Sequence, residues 1–459
     1  MSAKLNGTVC LVSIIAALAG LLFGFDTGII SGALLFIQKQ FVLTTSMKEL
    51  IVSSVLIGAM AGSFSSGRLT DLFGRRKVML IIAALFIVGT LVASFAKLTE
   101  MIIVGRIIIG VAIGIGSYTA PLYIAEAAPL EWRGGLVTLN QLAITIGILC
   151  SYLINYAFVN IEGSWRWMFM IGIVPAVLLG IGMIFLPESP RWLVKQGLKE
   201  KARSTLQYLR AHKEVDHEIN EIEHSLKLKE AGFGEIFAPW VRNVLFLGMF
   251  LGFLQQVTGI NAIIYYAPTI FGMVGFKTTS GAILATVGVG VVNVLSTIFA
   301  VFVIDKLGRR PLLFAGLIGM GVSLVCLSCA FHFGSELSYL RWAAMASIFV
   351  YIISFAFSLG ALLWLMVSEI FPLEVRGTAM SFTVFTSWFW NFAVSFTFLT
   401  LVGLLGPSGT FLIYAAMCVL GFVIGYFYVP ETKNVSLERI EENIRAKLTL
   451  RQIGRSLKD

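Results

Sequence analysis

The sequence predicts an all-α membrane protein whose twelve transmembrane helices form two related six-helix bundles, accompanied by short cytosolic helices. Two observations lead to this prediction: the composition and a set of motifs that occurs twice. The chain has 459 residues, of which 58% are hydrophobic and 13% charged, whereas soluble domains carry about 25% charged residues. Glycine is also frequent, at 45 residues, and it lets membrane helices approach one another closely.

Twelve apolar segments have the length of about 20 residues that a helix needs to cross a bilayer. They cover residues 8–36, 49–67, 78–96, 101–123, 135–159, 167–187, 244–272, 279–304, 311–332, 342–368, 378–404 and 408–429. The first segment is too long for the apolar region of a cleavable signal, so we expect it to be a span. An even number of crossings places both termini on one side of the membrane.

The distribution of basic residues predicts which side that is. Of the 34 Lys and Arg residues, 27 fall on the side of the termini and six in the opposite loops, and Arg106 lies within the fourth span. Basic loops remain in the cytoplasm, so we expect both termini there, in a multi-pass protein of the cell (inner or plasma) membrane. This arrangement also accounts for the net charge of +9, and no nucleic-acid partner is expected.

Three short motifs occur twice, in the same order and after equivalent spans. They are DLFGRR at 71–76 and DKLGRR at 305–310, EAAPLEWRG at 126–134 and EIFPLEVRG at 369–377, and PES at 187–189 and PET at 430–432. The duplication predicts two halves related in parallel. We expect an N-terminal bundle at 1–187, a cytosolic helical linker at 188–243, a C-terminal bundle at 244–429 and a cytosolic tail at 430–459.

The seventh span carries polar side chains that hydrocarbon does not solvate. Gln255, Gln256 and Asn261 stand in this apolar segment, and Gly259 between them permits the helix to bend. Unpaired amides are costly in hydrocarbon, so these are expected to face a cavity, a ligand or another helix. Neutral amides suit a neutral polyhydroxy ligand such as a sugar, because each hydroxyl both donates and accepts. Hydrogen bonding between helices is the alternative.

Two opposite charges lie inside the predicted membrane region. Asp26 stands in the first span and Arg106 in the fourth. Each alone would cost on the order of 2.5–3.5 kcal/mol on insertion scales, so a mutual ion pair is expected. Such a pair either switches with proton binding or has a purely structural role.

Catalytic, metal and cofactor sites find no support in the sequence. The five cysteines all lie in apolar stretches, and Cys326 and Cys329 have CxxC spacing without the second ligand pair that a zinc site needs. There is no catalytic triad, phosphate loop or nucleotide fingerprint. We therefore expect no enzyme, no metal and no cofactor.

The chain resembles the sugar porter family of the major facilitator superfamily along nearly its whole length, and among its members most closely the bacterial sugar:proton symporters for galactose, xylose, arabinose, glucose or inositol. The motifs that carry the resemblance are GFDTG at 24–28, PESPRW at 187–192, QQVTGIN at 255–261 and PETK at 430–433. The resemblance implies import of a monosaccharide by two bundles that rock about a central pocket.

The resemblance also implies roles for individual residues. Asp26 would carry the coupling proton, with Arg106 as its partner. The sugar would be bound by residues of spans 5, 7, 8, 10 and 11. These are Gln141, Gln255, Gln256, Asn261, Asn293, Phe355, Gly360, Trp364, Trp388 and Asn391.

Three positions depart from the family's pattern. Ile148 replaces a glutamine of the xylose-type symporter, Ser387 stands where a larger amide is common, and Ala361 replaces the proline that usually follows Gly360. The first two changes bear on which sugar is carried, and the third on how the tenth span bends.

The duplicated motifs place opposite charges at the cytosolic ends of helices. They either form ordinary surface pairs, each worth about 0–1 kcal/mol, or a network spanning both halves that holds an inner gate shut in one state and breaks in the other. The duplication favours the network. Its members would be Asp71, Arg75, Glu126, Arg133, Asp305, Arg309, Glu369 and Arg376.

We expect a monomeric sugar:proton symporter that works by alternating access. A passive facilitator with the same pocket is the main alternative, and Asp26 argues against it because facilitators of the family generally have a neutral residue there. A sugar sensor should carry a long cytosolic output tail, and residues 430–459 are short for one. The sequence does not distinguish which monosaccharide is carried.

Overall fold

The structure is a computed structural model that describes residues 6–129, 131–210, 215–227, 233–333, 338–372 and 374–454. Within these ranges the protein is helical and contains no β-strand. The chain divides into two compact units. Unit 1 comprises Met1–Phe41 and Ser54–Lys229, and unit 2 comprises Val42–Ser53 and Glu230–Asp459.

Unit 1 contains α1 to α10, except that the first residues of α2, through Ser53, group with unit 2. The helices are α1 Gly7–Gln40, α2 Thr45–Phe73, α3 Arg75–Ser94, α4 Thr99–Ala127, α5 Arg133–Ala157, α6 Ser164–Met170, α7 Ile173–Phe185, α8 Pro190–Lys195, α9 Lys199–Leu209 and α10 Asp216–Lys227.

Unit 2 contains the remaining long helices and two short 3₁₀ helices, Phe233–Phe237 and Leu450–Gln452. Its α-helices are α11 Arg242–Val257, α12 Ile260–Met273, α13 Thr279–Leu307, α14 Arg309–His332, α15 Ser338–Ala356, α16 Leu359–Ile370, α17 Arg376–Tyr428 and α18 Leu437–Arg445. The finer domain boundaries drawn from the sequence, at 187, 243 and 429, stay a prediction.

Among the described residues, eleven helical segments are long and apolar enough to cross a membrane. The last of them, α17, has 53 residues and contains both the eleventh and the twelfth span of the sequence analysis. It bends at Gly406, where φ is 71° and ψ is 167°. Pro407 follows, and its ring fits the first turn of a new helix but not a helix interior. The bend therefore separates two crossings.

The seventh span is interrupted in its middle. Helix α11 ends at Val257 and α12 begins at Ile260, with Gly259 between them at a φ of 93°. Glycine adopts this left-handed conformation without steric cost. The break leaves the carbonyl of Thr258 outside the regular helical ladder, and the Tyr351 hydroxyl donates to it at 2.9 Å.

Glycines set the helix spacing within unit 1. A Cβ added to Gly24 would overlap the Ile144 carbonyl oxygen, which brings α1 against α5. A Cβ added to Gly110 would overlap the carbonyl oxygen of Val55, which brings α4 against α2. Membrane helices gain packing contacts through such close approaches, because lipid provides no hydrophobic force between them.

The linker helices α8 to α10 pack on one another around a small apolar core. Its members are Leu193, Val194, Ala202, Leu206, Val215 and Ile219. The Asn6 amide, which also caps α1, donates to the Leu209 carbonyl at 3.1 Å. The linker is thus attached to the start of the first span.

Candidate functional site

The polar side chains of the seventh span form one hydrogen-bonded cluster in unit 2. Gln255 and Gln256 are buried at the end of α11. The Gln256 amide nitrogen donates to the side-chain oxygen of Gln255 at 3.0 Å and to the Ser387 hydroxyl at 2.8 Å. Asn261, on the first turn of α12, donates to the Gln256 oxygen at 2.6 Å. The break at Gly259 is what brings Asn261 within reach of Gln256.

The same cluster joins α11 to α16 and α17. The Gln255 amide nitrogen donates to the Leu359 carbonyl at 3.1 Å. The Ser387 hydroxyl donates to the Gln255 oxygen at 3.3 Å. Ser387 thus occupies a hydrogen bond of each glutamine, and the sequence analysis did not include it among the site residues. The one hint in the sequence was that serine stands at position 387, where a larger amide side chain is common in the family.

The other predicted pocket residues of unit 2 lie on α13, α15, α16 and α17. Asn293, Trp388 and Asn391 are buried, whereas Trp364 is 38% exposed. Phe355 and Gly360 lie side by side, since a Cβ on Gly360 would sit 3.0 Å from the Phe355 ring. The remaining predicted residue, Gln141, is half-buried on α5 of unit 1.

Tyrosines fix the two halves of the broken span. The Tyr351 bond to Thr258 fixes the break itself. Tyr266 on α12 donates to the Ser395 carbonyl at 2.9 Å and stacks on Phe398 with ring centroids 5.0 Å apart. The amide cluster is therefore positioned by helices on both sides of the break.

Asp26 and Arg106 form an ion pair inside unit 1. Their Nη1–Oδ1 and Nη2–Oδ2 distances are 3.3 and 3.4 Å. The side chains are 2% and 0% exposed, and the guanidinium lies 6.0 Å from the centre of the Phe169 ring. The planar guanidinium presents its two donors to both carboxylate oxygens. The pair expected from the sequence is formed.

The duplicated motifs form a compact network at one end of unit 1. Arg75 binds Glu126 through both Nε and Nη2, each at 2.8 Å. The Ser189 hydroxyl also donates to Glu126, at 2.5 Å. Asp71 lies 3.5 Å from the Arg75 guanidinium and is half-exposed.

Glu188 completes this network from the chain that follows α7. Its carboxylate accepts the backbone N–H groups of Arg75 at 2.8 Å, Arg76 at 3.1 Å and Ser189 at 2.8 Å. The first two are the unpaired donors at the start of α3, where a carboxylate is favoured. Burial raises the pKa of the Glu188 carboxyl, and these backbone hydrogen bonds oppose the rise.

Unit 2 repeats the network with different residues. Arg309 binds Glu369 at 2.8 and 3.2 Å, and the Thr432 hydroxyl donates to Glu369 at 2.5 Å. Glu431 accepts the backbone N–H groups of Arg309 and Arg310 at 3.1 and 3.0 Å. The sequence repeat is therefore also a repeat of contacts, and the paired PES and PET motifs were its signal. The side chain of Asp305 lies outside the described residues.

The two remaining gate candidates have other surroundings. Arg133 is exposed at the start of α5. Arg376 donates to the Phe371 carbonyl through Nε at 3.1 Å and Nη2 at 3.0 Å. The carboxylates of their motifs, Glu126 and Glu369, bind arginines of the preceding motif instead. The sequence identified Arg75, Glu126, Arg309 and Glu369 as members of the networks. It did not identify Glu188 and Glu431, and it wrongly included Arg133 and Arg376.

Among the described residues, no group of three or more His, Cys, Asp or Glu side chains could hold a metal ion. The buried polar groups are amides and hydroxyls on α11, α12 and α17 of unit 2 and, separately, an ion pair in unit 1. Such groups bind and orient a neutral ligand and can exchange a proton.

Comparison with known proteins identifies the family. The family model described as sugar (and other) transporter matches residues 12–444. The chain belongs to this family. It is 42% identical over 446 residues to a galactose-proton symporter of Escherichia coli strain K12, covering 96% of each protein. It is also 42% identical to an arabinose-proton symporter of the same strain over 448 residues, covering 96% of this chain and 95% of that protein.

Solved structures agree with the family assignment. A partially occluded inward-open structure of the xylose transporter XylE from E. coli superimposes with a TM-score of 0.82 at 32% identity. The match covers 94% of this chain and 100% of that one. The sugar porter resemblance and the major facilitator fold inferred from the sequence, with two parallel-related six-helix bundles, are thereby confirmed.

Proposed function

We propose that this sugar transporter family member imports a monosaccharide by proton symport through alternating access. The observation that carries the coupling is the buried ion pair of Asp26 and Arg106 in unit 1. The names of its relatives, galactose-proton symporter and arabinose-proton symporter, support the same function. Membership of a transporter family and the absence of a catalytic motif in the sequence support a role as carrier and not as enzyme.

The amide cluster supports a neutral polyhydroxy substrate. Each side-chain amide offers two donors and two acceptor lone pairs. Within the cluster, Gln256 uses both donors and Gln255 uses both lone pairs of its oxygen. One donor of Gln255 and the oxygen of Asn261 stay free of the hydrogen bonds within the cluster. A sugar hydroxyl both donates and accepts, so it can bond to this free donor and this free acceptor.

The ion pair supports proton coupling. With Asp26 ionised, the carboxylate attracts Arg106 across 3.3 Å in a site without water-exposed surface. A proton on the carboxyl removes that charge, so the attraction falls and the helices α1 and α4 that carry the pair are less tightly held. We propose that proton binding from outside releases the pair and that proton loss to the cytoplasm restores it.

The duplicated networks support connections between helices of the same unit at the cytosolic helix ends. Glu188 and Glu431 accept the backbone N–H groups of Arg75 and Arg309, the first residues of α3 and α14. Glu126 and Glu369 bind the side chains of the same two arginines. Each network connects three spans of its own unit, the third, fourth and sixth in unit 1 and the ninth, tenth and twelfth in unit 2, so we propose that each keeps those spans together as the transporter changes state. The basic loops support cytoplasmic termini in the cell membrane, and we propose a monomer as the working form.

Uptake of labelled sugars tests the proposed function. Cells that lack their own porters should accumulate galactose, glucose, xylose, arabinose or inositol when they express this protein. Accumulation above the external concentration should disappear when a protonophore dissipates the gradient. Equilibration without accumulation, unaffected by the protonophore, would instead support a passive facilitator, and no uptake of any sugar would refute the proposed function.

A further inference from the structure

A buried carboxylate lies where the sequence analysis placed only the edge of a span. Glu49, on the first turns of α2, is 1% exposed. Its two oxygens accept from the Thr400 backbone N–H at 2.6 Å and from the Thr400 hydroxyl at 2.8 Å. No described Lys, Arg or His forms an ion pair with it. A buried carboxylate is costly unless its hydrogen bonds are made, so this contact decides whether Glu49 can stay buried.

The donor side of the contact lies in the interior of a long helix. Thr400 belongs to α17 and precedes the bend at Gly406. An interior helical N–H normally donates to the carbonyl four residues earlier. Here it also serves a carboxylate from a helix 351 positions away in sequence. The contact therefore holds the part of α17 next to its bend.

Helix α2 connects this contact to the rest of the chain. It is continuous from Thr45 to Phe73, but only its residues through Ser53 belong to unit 2. Further along, Gly58 and Gly62 pack against the backbone of α4 at Ile107 and Val111, within unit 1. A continuous helix transmits a displacement of one end to the other. A movement of α2 with α4 would therefore pull Glu49 away from Thr400.

Tyr414 places the contact near the break in the seventh span. This residue follows the bend of α17, and its ring lies so close to Gly259 that an added Cβ there would be 2.5 Å from it. Its phenol lies within electrostatic range of the Glu49 carboxyl. Its buried hydroxyl has no hydrogen-bond partner among the described residues. Glu49 thus adjoins the element that positions Gln256 and Asn261.

We propose that Glu49 is a positioning residue that latches the start of α2 to α17, and that its release from Thr400 is a step of the transport cycle. The inference rests on the proposed function, since only alternating access requires the contact to open. In the latched state, Glu49 holds the segment of α17 that packs against the broken span. In the released state, the carboxylate exchanges Thr400 for water.

Distances between spin labels at the two ends of the latch test this inference. Val42 and Leu404 are both exposed and flank Glu49 and Thr400 in sequence. Cysteines at these two positions, in a protein whose five native cysteines are replaced, would be labelled and measured by double electron–electron resonance in nanodiscs. Four variants are compared with the labelled wild type: Glu49→Ala, Glu49→Gln, Thr400→Val and Thr400→Ser.

The latch predicts how the four variants rank by their ratio of long to short spin-label distances. Glu49→Ala loses both hydrogen bonds and should raise the ratio of long to short distances by about tenfold, the equivalent of one charge-assisted hydrogen bond. Glu49→Gln should raise the ratio much less than Glu49→Ala does, since its amide oxygen can accept the N–H and its NH₂ can donate to the hydroxyl, although without the charge of the carboxylate. Thr400→Val loses one bond and should fall between them, whereas Thr400→Ser should match wild type.

Two results would overturn the latch. One is a Glu49→Ala distance distribution equal to that of wild type, and the other is a Glu49→Gln distribution displaced as far as that of Glu49→Ala. If Glu49→Ala does not fold, the latch is tested on Thr400 instead. Equal spin-label distance distributions in Thr400→Val and Thr400→Ser would then overturn it. Sugar counterflow by the wild type is measured separately. Its absence would refute the proposed function, whereas counterflow with unchanged distances would refute only the latch.

Discussion

Arg75 donates two parallel hydrogen bonds of 2.8 Å to Glu126, and both side chains are almost fully buried. The two residues lie 51 positions apart and join the start of α3 to the end of α4. The same relationship recurs between Arg309 and Glu369 in unit 2. Bidentate geometry and burial distinguish these contacts from ordinary surface ion pairs.

Removing one member of this pair should destabilise the protein strongly. Glu126→Gln leaves the buried Arg75 guanidinium with only the half-exposed Asp71, 3.5 Å away, as a counter-charge, at an expected cost of about 3 kcal/mol, the lower end of the range for a broken buried pair. Thermal unfolding in detergent, followed by circular dichroism, measures the change. The matched control is Glu374→Gln, which breaks the exposed pair of Glu374 and Arg445 at 2.9 Å and should cost at most about 1 kcal/mol. Equal losses in the two variants would place Arg75 and Glu126 among surface pairs.

The duplicated motifs could be recognised from the sequence, but the partners within them could not. The repeat of charges predicted a network, because opposite charges recurred at equivalent helix ends. It did not predict that Glu126 would select Arg75 over Arg133, since that choice depends on how α3 and α4 meet. Gly74 and Gly308, with φ values of 86° and 92°, start the following helices in nearly the same conformation. This geometry presents the backbone N–H groups to Glu188 and Glu431.

Glu188 should give the stability of the protein a specific dependence on pH. Its pKa is raised in the folded state by burial, so the folded protein binds the proton more tightly than the unfolded chain. Its contribution is then fully present below the unfolded value of 4.5 and is lost as pH rises through the folded pKa. Glu188→Gln lacks this titration. Its melting temperature relative to wild type should therefore rise with pH across that window.

Melting curves at a series of pH values above 4.5 measure this difference. Gln452→Asn, which exchanges one non-titrating side chain for another on the 3₁₀ helix Leu450–Gln452, is a suitable control and should keep a constant offset from wild type. A constant offset for Glu188→Gln as well would show that the titration of Glu188 does not contribute to folding.

Replacing the paired glutamines should weaken sugar binding without unfolding the protein. Gln255→Ala or Gln256→Ala removes neutral hydrogen bonds from a buried site, and each should cost about 1–3 kcal/mol of binding free energy. Isothermal titration of the purified protein with the transported sugar measures this loss. Gln452→Ala in the tail is the control and should bind as wild type does. Wild-type affinity in the double variant Gln255→Ala, Gln256→Ala would refute the substrate site.

Ser387 should influence the same site through the glutamines. Its hydroxyl accepts from Gln256 and donates to Gln255, so Ser387→Ala leaves one glutamine donor and one acceptor to reorient. We expect the affinity for the transported sugar to change by about 1 kcal/mol, one neutral hydrogen bond, and the order of preference within a sugar panel to change. Ser381→Ala, which removes a hydroxyl that bonds to the Gly377 carbonyl of its own helix, should leave both unchanged.

The sequence revealed charged or polar side chains that are isolated in apolar spans, and it concealed contacts that depend on distant segments. Asp26 and Arg106 could be paired because hydrocarbon leaves two opposite charges few other partners. Ser387 could not be placed, because a serine hydroxyl in a span often bonds to its own helix. Tyr351 could not be placed either, because its phenol bonds to a carbonyl 93 residues away in sequence. Glu49 stood at a predicted span boundary, where an acidic residue is ordinary. Only the approach of α17 shows that it is buried.

Asp26→Asn should separate sugar movement from proton coupling. The asparagine preserves the size of the side chain and cannot take up or release the proton, so Arg106 faces a permanently neutral partner. Uphill accumulation driven by a proton gradient should be lost, together with the pH dependence of uptake. Sugar binding and counterflow should remain, because the amide cluster on α11 and α12 is unchanged. Both activities are measured on the same purified, reconstituted variant, with Glu100→Gln at the exposed start of α4 as the control. Uphill accumulation by Asp26→Asn would exclude Asp26 as the coupling residue, whereas loss of counterflow as well would assign the ion pair a structural role.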